Sequence, residues 1–192
     1  REGQRIIDST LPTLEAMTPR PDVTLLGCLA DASAIARTAG DARQALHTAE
    51  RIVAIETATG ADRGVGHADS LMILARAQNL AGRHADAVRS LRAGIALHEQ
   101  LGTAGGAGAQ HLPALMAGVL TEGGQAGLAL EIVDGLLAEH QRRGGDDRTV
   151  ATTLWQRGMA LLALGRLDAA EADFASALAG ARASGDRSQV RA

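Results

Sequence analysis

The sequence predicts an all-α protein built from antiparallel helical hairpins stacked side by side. Three observations carry this. Gly40, Gly82, Gly124 and Gly165 recur at steps of 42, 42 and 41 residues, each followed five residues later by alanine: Ala45, Ala87, Ala129 and Ala170. Apolar residues run at three-to-four spacing on both sides of each glycine, the period of a helix with one buried face. Forty of the 192 residues are alanine and aromatics make up only 1%. Alanine is the best helix former. A core with so few large side chains suits closely approaching helices rather than a sheet, which favours β-branched and aromatic residues.

Composition narrows the function. The net charge is −3 with both signs interspersed, so the chain lacks the basic stripe of a nucleic-acid surface. Its single cysteine, Cys28, leaves no internal disulfide and fits a reducing, cytoplasmic setting. No run of about 20 apolar residues is present to span a bilayer. No signal peptide is evident, and the sequence opens on Arg1 rather than Met, as a piece of a larger protein would. All 19 basic residues are arginine and Asn79 is the one asparagine, a bias expected of a GC-rich bacterial genome.

Taken in order, residues 1–21 read as a partial repeat or a capping helix, with a helix expected over 1–17. Pro19 and Pro21 punctuate the chain, because proline disfavours helix at the residue before it. The first repeat covers 22–63. Its first helix carries Leu25, Leu26, Leu29, Ala32, Ala36 and Ala39 on the apolar face. Gly40-Asp41 turns the chain, and the second helix carries Ala45, Ala49, Ile52, Val53 and Glu56. The second repeat, 64–106, places Leu71, Leu74, Ala75 and Gln78 before Gly82, then Ala87, Leu91, Ile95 and Leu97 after it. The glycine-rich stretch 102–108 reads as a flexible linker. It follows no strand and lacks the Gly-Lys-Ser/Thr ending of a phosphate loop. The third repeat, 107–147, has Pro113 in the first turn of its helix, where proline is tolerated. Met116, Ala117 and Leu120 precede Gly123-Gly124, and Ala129, Val133, Leu136 and Leu137 follow. The fourth, 148–187, is centred on Gly165 and is expected to end near Gly185. Residues 188–192 read as the start of a further, truncated repeat.

Aligned on the turn glycines, the positions seven residues before them are Ser33, Ala75, Ala117 and Gly158, all small. Those thirteen residues after are Val53, Ile95, Leu137 and Leu178, all aliphatic. One such hairpin cannot bury its apolar face alone, which is why such units occur in arrays. The spacing resembles the tetratricopeptide repeat (TPR). Gly158, Gly165, Ala170, Phe174 and Ala177 fall where that family has Gly, Gly, Ala, an aromatic and Ala. Arg157 departs from it, standing where a large apolar residue is usual. So do Ala49, Leu91 and Val133 at the aromatic position, and Ile52, Gly94 and Leu136 at the small position late in the second helix. A period near 42 exceeds the usual 34 and resembles the long variety in kinesin light chains and large bacterial signalling regulators. The segment Leu97–Gly102 is similar to the junction of that variety. The resemblance covers about residues 22–185 and implies a right-handed superhelical stack.

The resemblance also implies a concave groove lined by the first helix of each hairpin. Groove positions are then Asp31, Ala34 and Arg37; Met72, Ile73, Arg76 and Asn79; His111, Leu115 and Gly118; Trp155, Gln156 and Met159. Trp155, one residue past the core position Leu154, is the candidate anchor for a partner side chain. Arg37, Arg76 and Asn79 are candidates to hold a carboxylate or a peptide backbone. The alternatives are that Trp155 packs between helices and that the arginines are solvated. No catalytic residue, cofactor or metal site is expected. The six histidines (47, 67, 84, 98, 111, 140) form no paired motif, Asp146-Asp147 reads as a helix N-terminal pair, and Cys28 as a buried small hydrophobe. The expected function is a non-enzymatic scaffold binding a peptide or partner domain, within a bacterial signalling or regulatory protein. Two rivals stay open. One is a small-ligand sensor whose groove closes round a metabolite. The other is a structural module that self-associates through its terminal repeats.

Overall fold

The computed structural model describes residues 23–144 and 147–190. The expectations for 1–21 lie outside those residues. Nine helices, and no strand, occur among the described residues: α1 (Val23–Thr38), α2 (Ala42–Thr59), α3 (Val65–Leu80), α4 (His84–Gln100), the single turn α5 (Ala107–Gln110), α6 (Leu112–Glu122), α7 (Ala126–Arg143), α8 (Asp147–Ala163) and α9 (Leu167–Val190). The described residues divide into two compact units, the boundary falling between Ala109 and Gln110. In the first, α1 pairs with α2 and α3 with α4, and the second hairpin packs on the first through α3. In the second, α6 pairs with α7 and α8 with α9, and α8 packs on both α6 and α7.

The turns follow directly from the glycines. Gly40, Gly82, Gly124 and Gly165 all take φ between 72° and 77°, the left-handed region where a Cβ is penalised. Each lets the next residue's N–H reach back five positions to the helix: Asp41 to the Ala36 carbonyl, Arg83 to Gln78, Gln125 to Leu120 and Arg166 to Leu161, at 2.7–2.9 Å. This is the Schellman closure of helix C-termini. The same device ends α2 and α4, at Gly60 and Gly102. Asp41 also caps α2, its carboxylate accepting from the Gln44 N–H at 2.9 Å.

Packing relies on small residues, as the composition demands. Ala45, Ala49, Ala75, Ala77, Ala87, Ala129 and Ala160 are fully buried, which lets the paired helices approach closely. Ala36, Ala45, Ala49, Leu74 and Ala77 form one core cluster, and Leu25, Leu29 and Ile52 a second. Ile73 packs against both, so it joins the hairpins of the first unit rather than lining a groove. Ala39 is exposed, because it sits in the closing turn where the helix unwinds, and Cys28 is half-buried rather than buried.

Two segments differ from expectation. The glycine-rich stretch 102–108 is a built turn: the Thr103 N–H bonds to the His98 carbonyl, Gly106 bonds to Thr103, and α5 begins at Ala107. The α9 helix does not stop near Gly185 but runs on to Val190. An interior glycine costs a helix only about 1 kcal/mol, and no proline follows to end it.

Arg157, the departure from the repeat pattern, is accounted for by α9. Its guanidinium forms a bidentate pair with the buried carboxylate of Asp173, at 2.6 and 2.7 Å, and a longer bond of 3.4 Å to Asp134. Its neighbour Gly158 lies under the Phe174 ring so closely that a Cβ there would sit 2.6 Å from Phe174 Cε1. Adjacent residues of α8 thus lock onto adjacent residues of α9, one pair by charge and one by shape.

Candidate functional site

In the first unit α1 and α3 lie side by side, carrying Arg37 and Arg76. Arg76 is half-buried, and its Nε has no hydrogen-bond partner. Burial, and then the nearby Arg37 guanidinium, push the Arg76 pKa below its ordinary value. Neither arginine forms an ion pair among the described residues. Two cations with no neutralising carboxylate are an unfavourable arrangement for the free protein. Met72, one turn before Arg76, is half-buried on the same helix. Asn79 is engaged elsewhere: its Oδ1 lies 2.9 Å from His84 Nδ1 across the α3–α4 turn. The first unit therefore brings together Arg37, Met72 and Arg76 and ties Asn79 to the turn.

In the second unit the expected residues separate into two faces. The Gln156 amide rests over Gly118 of α6, where a Cβ would lie 3.1 Å from Gln156 Oε1. Gly118 thus gives Gln156 its seat between α6 and α8. Met159 is half-buried on α8, and exposed His111 precedes α6, lining a cavity of about 80 Å³ with His140, Arg148 and Thr153. Trp155 is 49% exposed but does not share the face of Gln156. It borders an open concavity of about 440 Å³ with Ala151, Phe174, Leu178 and Ala181, on the outer side of the α8–α9 hairpin. Trp155 and Gln156 are neighbours on α8 and point about 100° apart.

One polar cluster escapes the sequence reading. Glu56 on α2 is buried. Its Oε2 accepts from His67 Nδ1 at 2.6 Å and its Oε1 from Ser70 Oγ at 2.7 Å. These bonds tie the end of the first hairpin to the start of the second. The residue types are those of a hydrolytic triad, but the hydroxyl donates to the carboxylate and not to the histidine, so no base activates it. The signal was available in the repeat register. Glu56, His98 and His140 occupy one position 42 residues apart, on the core face. His140 Nε2 lies 3.3 Å from Thr153 Oγ1 of the following helix. Buried His98 instead meets Thr103 Oγ1 at 2.9 Å through Nδ1, and its Nε2 has no partner. Read as six scattered residues, the histidines hide this column.

No group of three or more His, Cys, Asp or Glu side chains among the described residues is placed to hold a metal ion. No described helix is long and apolar enough to cross a membrane.

No family model matches the sequence, and no curated protein matches it. Solved structures do. The nearly identical TPR-like repeats of a Podosopora anserina protein assigned as a kinesin light chain superpose with a TM-score of 0.76, over 95% of this chain and 87% of that one, at 18% identity. A single-substitution variant of that protein superposes with a TM-score of 0.79, over 97% and 88%, at 19% identity. At such identity the likeness is one of fold. Helical hairpins in a 42-residue register, glycine-closed turns and these neighbours show that the chain has a TPR-like helical-repeat fold.

Proposed function

We propose that this chain is a non-enzymatic interaction module that binds an acidic segment of a partner protein on the α1–α3 face. The observation that carries the reading is Arg76, half-buried, unpartnered at Nε and set beside a second arginine. A fold optimised for stability alone has no reason to hold two guanidinium groups together without a counter-ion. A ligand carboxylate resolves the arrangement, since a guanidinium presents its donors in a fork that matches two carboxylate oxygens. Met72 adds apolar surface next to the charge. The partner's acidic group is a side chain or a chain terminus, and the rest of the segment lies along α1 and α3. A cytoplasmic bacterial signalling or regulatory protein is the setting we favour, on the arginine-only, alanine-rich composition.

The test is titration with acidic and amide-capped versions of the same peptides. Wild-type protein is expected to prefer the acidic set, with affinity falling as salt rises. Arg76→Met and Arg37→Ala are each expected to weaken it at least about tenfold, the worth of a charge-assisted hydrogen bond. Equal affinity of the two arginine variants and the wild type for the acidic set would refute the site.

A further inference from the structure

The small cavity of the second unit sits where α7, α8 and the start of α6 meet, and its lining is cationic. Buried Thr153 forms its floor, and exposed His111 and Arg148 flank its mouth. His140, Thr149 and Thr152 stand in its wall. Among the described residues no carboxylate lines it. Its volume of about 80 Å³ equals that of roughly two or three waters at about 30 Å³ each. A whole organic ligand takes about 300 Å³ or more, so the cavity fits one compact charged group.

The hydrogen bonds decide which groups are left to meet it. The Thr153 hydroxyl donates to the Thr149 carbonyl, and the Thr152 hydroxyl to the Arg148 carbonyl, both at 2.9 Å. Thr153 Oγ1 has then spent its proton, so at 3.3 Å it accepts from the His140 Nε2–H. The Arg148 guanidinium and the His111 ring have no side-chain hydrogen bond or ion pair among the described residues. Arg148 also stands in the first turn of α8, where the helix dipole adds to a field that favours an anion.

This lining is particular to one junction between repeats. Counted from the turn glycines, His111, His140 and Arg148 correspond to Asp69, His98 and Ala107 at the preceding junction, and to Gly27, Glu56 and Val65 at the one before. The positions converge at the preceding junction too: a Cβ on Gly108 would lie 3.5 Å from Asp69 Oδ1 and 3.9 Å from His98 Nε2. The crevice therefore belongs to the repeat, while its charge does not. Glu56 and Asp69 place a carboxylate in the first two junctions, and the third gathers an arginine and two histidines. Like charges side by side disfavour one another, and an anion between them removes that cost.

We propose that this cavity binds a phosphate group, with Arg148 and His111 holding its oxygens at the mouth and His140 adding charge from the wall. The cations stand on three different elements, so a tetrahedral oxyanion meets them together, whereas a planar carboxylate matches the guanidinium fork alone. The site shares no residue with the Arg37–Arg76 face, so the two readings fail separately.

The experiment is titration of the 192-residue chain with inorganic phosphate and with phenyl phosphate, each up to about 10 mM at constant pH and ionic strength. Calorimetry and the ring C–H signals of the six histidines are the readouts. Expected is saturable binding that moves the His111 and His140 signals and leaves the other four in place. Arg148→Gln and His111→Asn, both at exposed positions, are expected to keep the wild-type helicity and to weaken binding about tenfold and about threefold. Arg76→Met is expected to bind phosphate as the wild type does. Phenyl phosphate binding as tightly as inorganic phosphate identifies the ligand as the phosphate end of a larger molecule, and binding of inorganic phosphate alone identifies a free ion. No saturable binding of either probe overturns the proposal. So do signals that move alike at all six histidines, or an affinity unchanged in both variants.

Discussion

Replacing Arg157 by leucine brings the sequence closer to the usual repeat pattern and is nevertheless expected to destabilise the protein. The structure gives the size. Arg157 holds both oxygens of Asp173, whose side chain is 7% exposed, while its own is 31% exposed. The hydrogen bond to Asp173 is the largest influence raising the Arg157 pKa, with burial opposing it, so the guanidinium stays charged throughout the accessible range. Removing one partner of a buried ion pair costs roughly 3–5 kcal/mol, because the other charge is left desolvated. Water reaches this pair from the arginine side, so about 3 kcal/mol is the appropriate figure. The reverse substitution, Asp173→Leu, is expected to cost about 1 kcal/mol, because the half-buried arginine still reaches solvent and keeps Asp134. The double variant Arg157→Leu, Asp173→Leu is expected to recover most of the loss, since well-packed apolar residues replace buried ion pairs at little cost. Urea unfolding read by Trp155 emission reports on this hairpin directly, because the tryptophan lies on α8. A loss below about 1 kcal/mol for Arg157→Leu, or a double variant no more stable than that single one, would refute the asymmetry argument.

Further outcomes follow from the same geometry. Gly158→Ala should lower stability by about 1–2 kcal/mol, although alanine alone favours the helix by about 1 kcal/mol, because the new methyl displaces the Phe174 ring; thermal melting checks the sign. Glu56→Ala should cost about 2–3 kcal/mol in urea, since His67 loses its acceptor. Ser70→Ala should cost about 1 kcal/mol, leaving the histidine pair in place. Arg76→Met should leave the melting temperature unchanged or higher, because it removes a half-buried charge repelled by Arg37; a clear drop would mean Arg76 is structural. Asp86 is held below the usual carboxylate range, first by its hydrogen bond from Arg83. Its contribution is complete above the ordinary value and is lost as pH falls through the lowered one. Asp86→Asn should accordingly reduce the acid-side loss of stability in pH-dependent melts.

The repeat was legible because its constraints act within one hairpin. A left-handed turn demands glycine, and a close helix approach demands alanine, so Gly40 and Ala45 recur wherever the hairpin recurs. Gly158 and Phe174 were legible for the same reason. What escaped were interactions between elements whose relative rotation no local rule supplies. Glu56 was placed on the apolar face, but its partners His67 and Ser70 belong to the next hairpin, and a buried carboxylate looks in sequence like one leaning to solvent. Trp155 was read as a groove residue, and it is exposed, yet the surface it borders includes Phe174 and Leu178 of α9, and that depends on how α9 crosses α8. Arg157 looked like a departure until Asp173, sixteen residues on, supplied its reason.

Binding and stacking draw on different positions of the same period, and this separation is what lets a repeat carry function without losing its fold. The turn glycines and small core positions stay nearly invariant through the four copies. The position of Arg76 holds Ala34, Gly118 and Met159 in the others, and that of Arg37 holds Asn79, Thr121 and Leu162. These two repeat positions hold arginine only in the first unit. A property confined to one unit of an otherwise repeating scaffold is not explained by the packing that all units share. The polar column at Glu56, His98 and His140 is the opposite case. It keeps hydrogen-bonding chemistry at a core position in three copies while changing partners each time, from His67 and Ser70, to Thr103, to Thr153. Nonpolar side chains would fill that space without the desolvation cost. At Glu56 and His140 the polar side chain bonds to the following helix, and at His98 it bonds to the turn that ends its own helix.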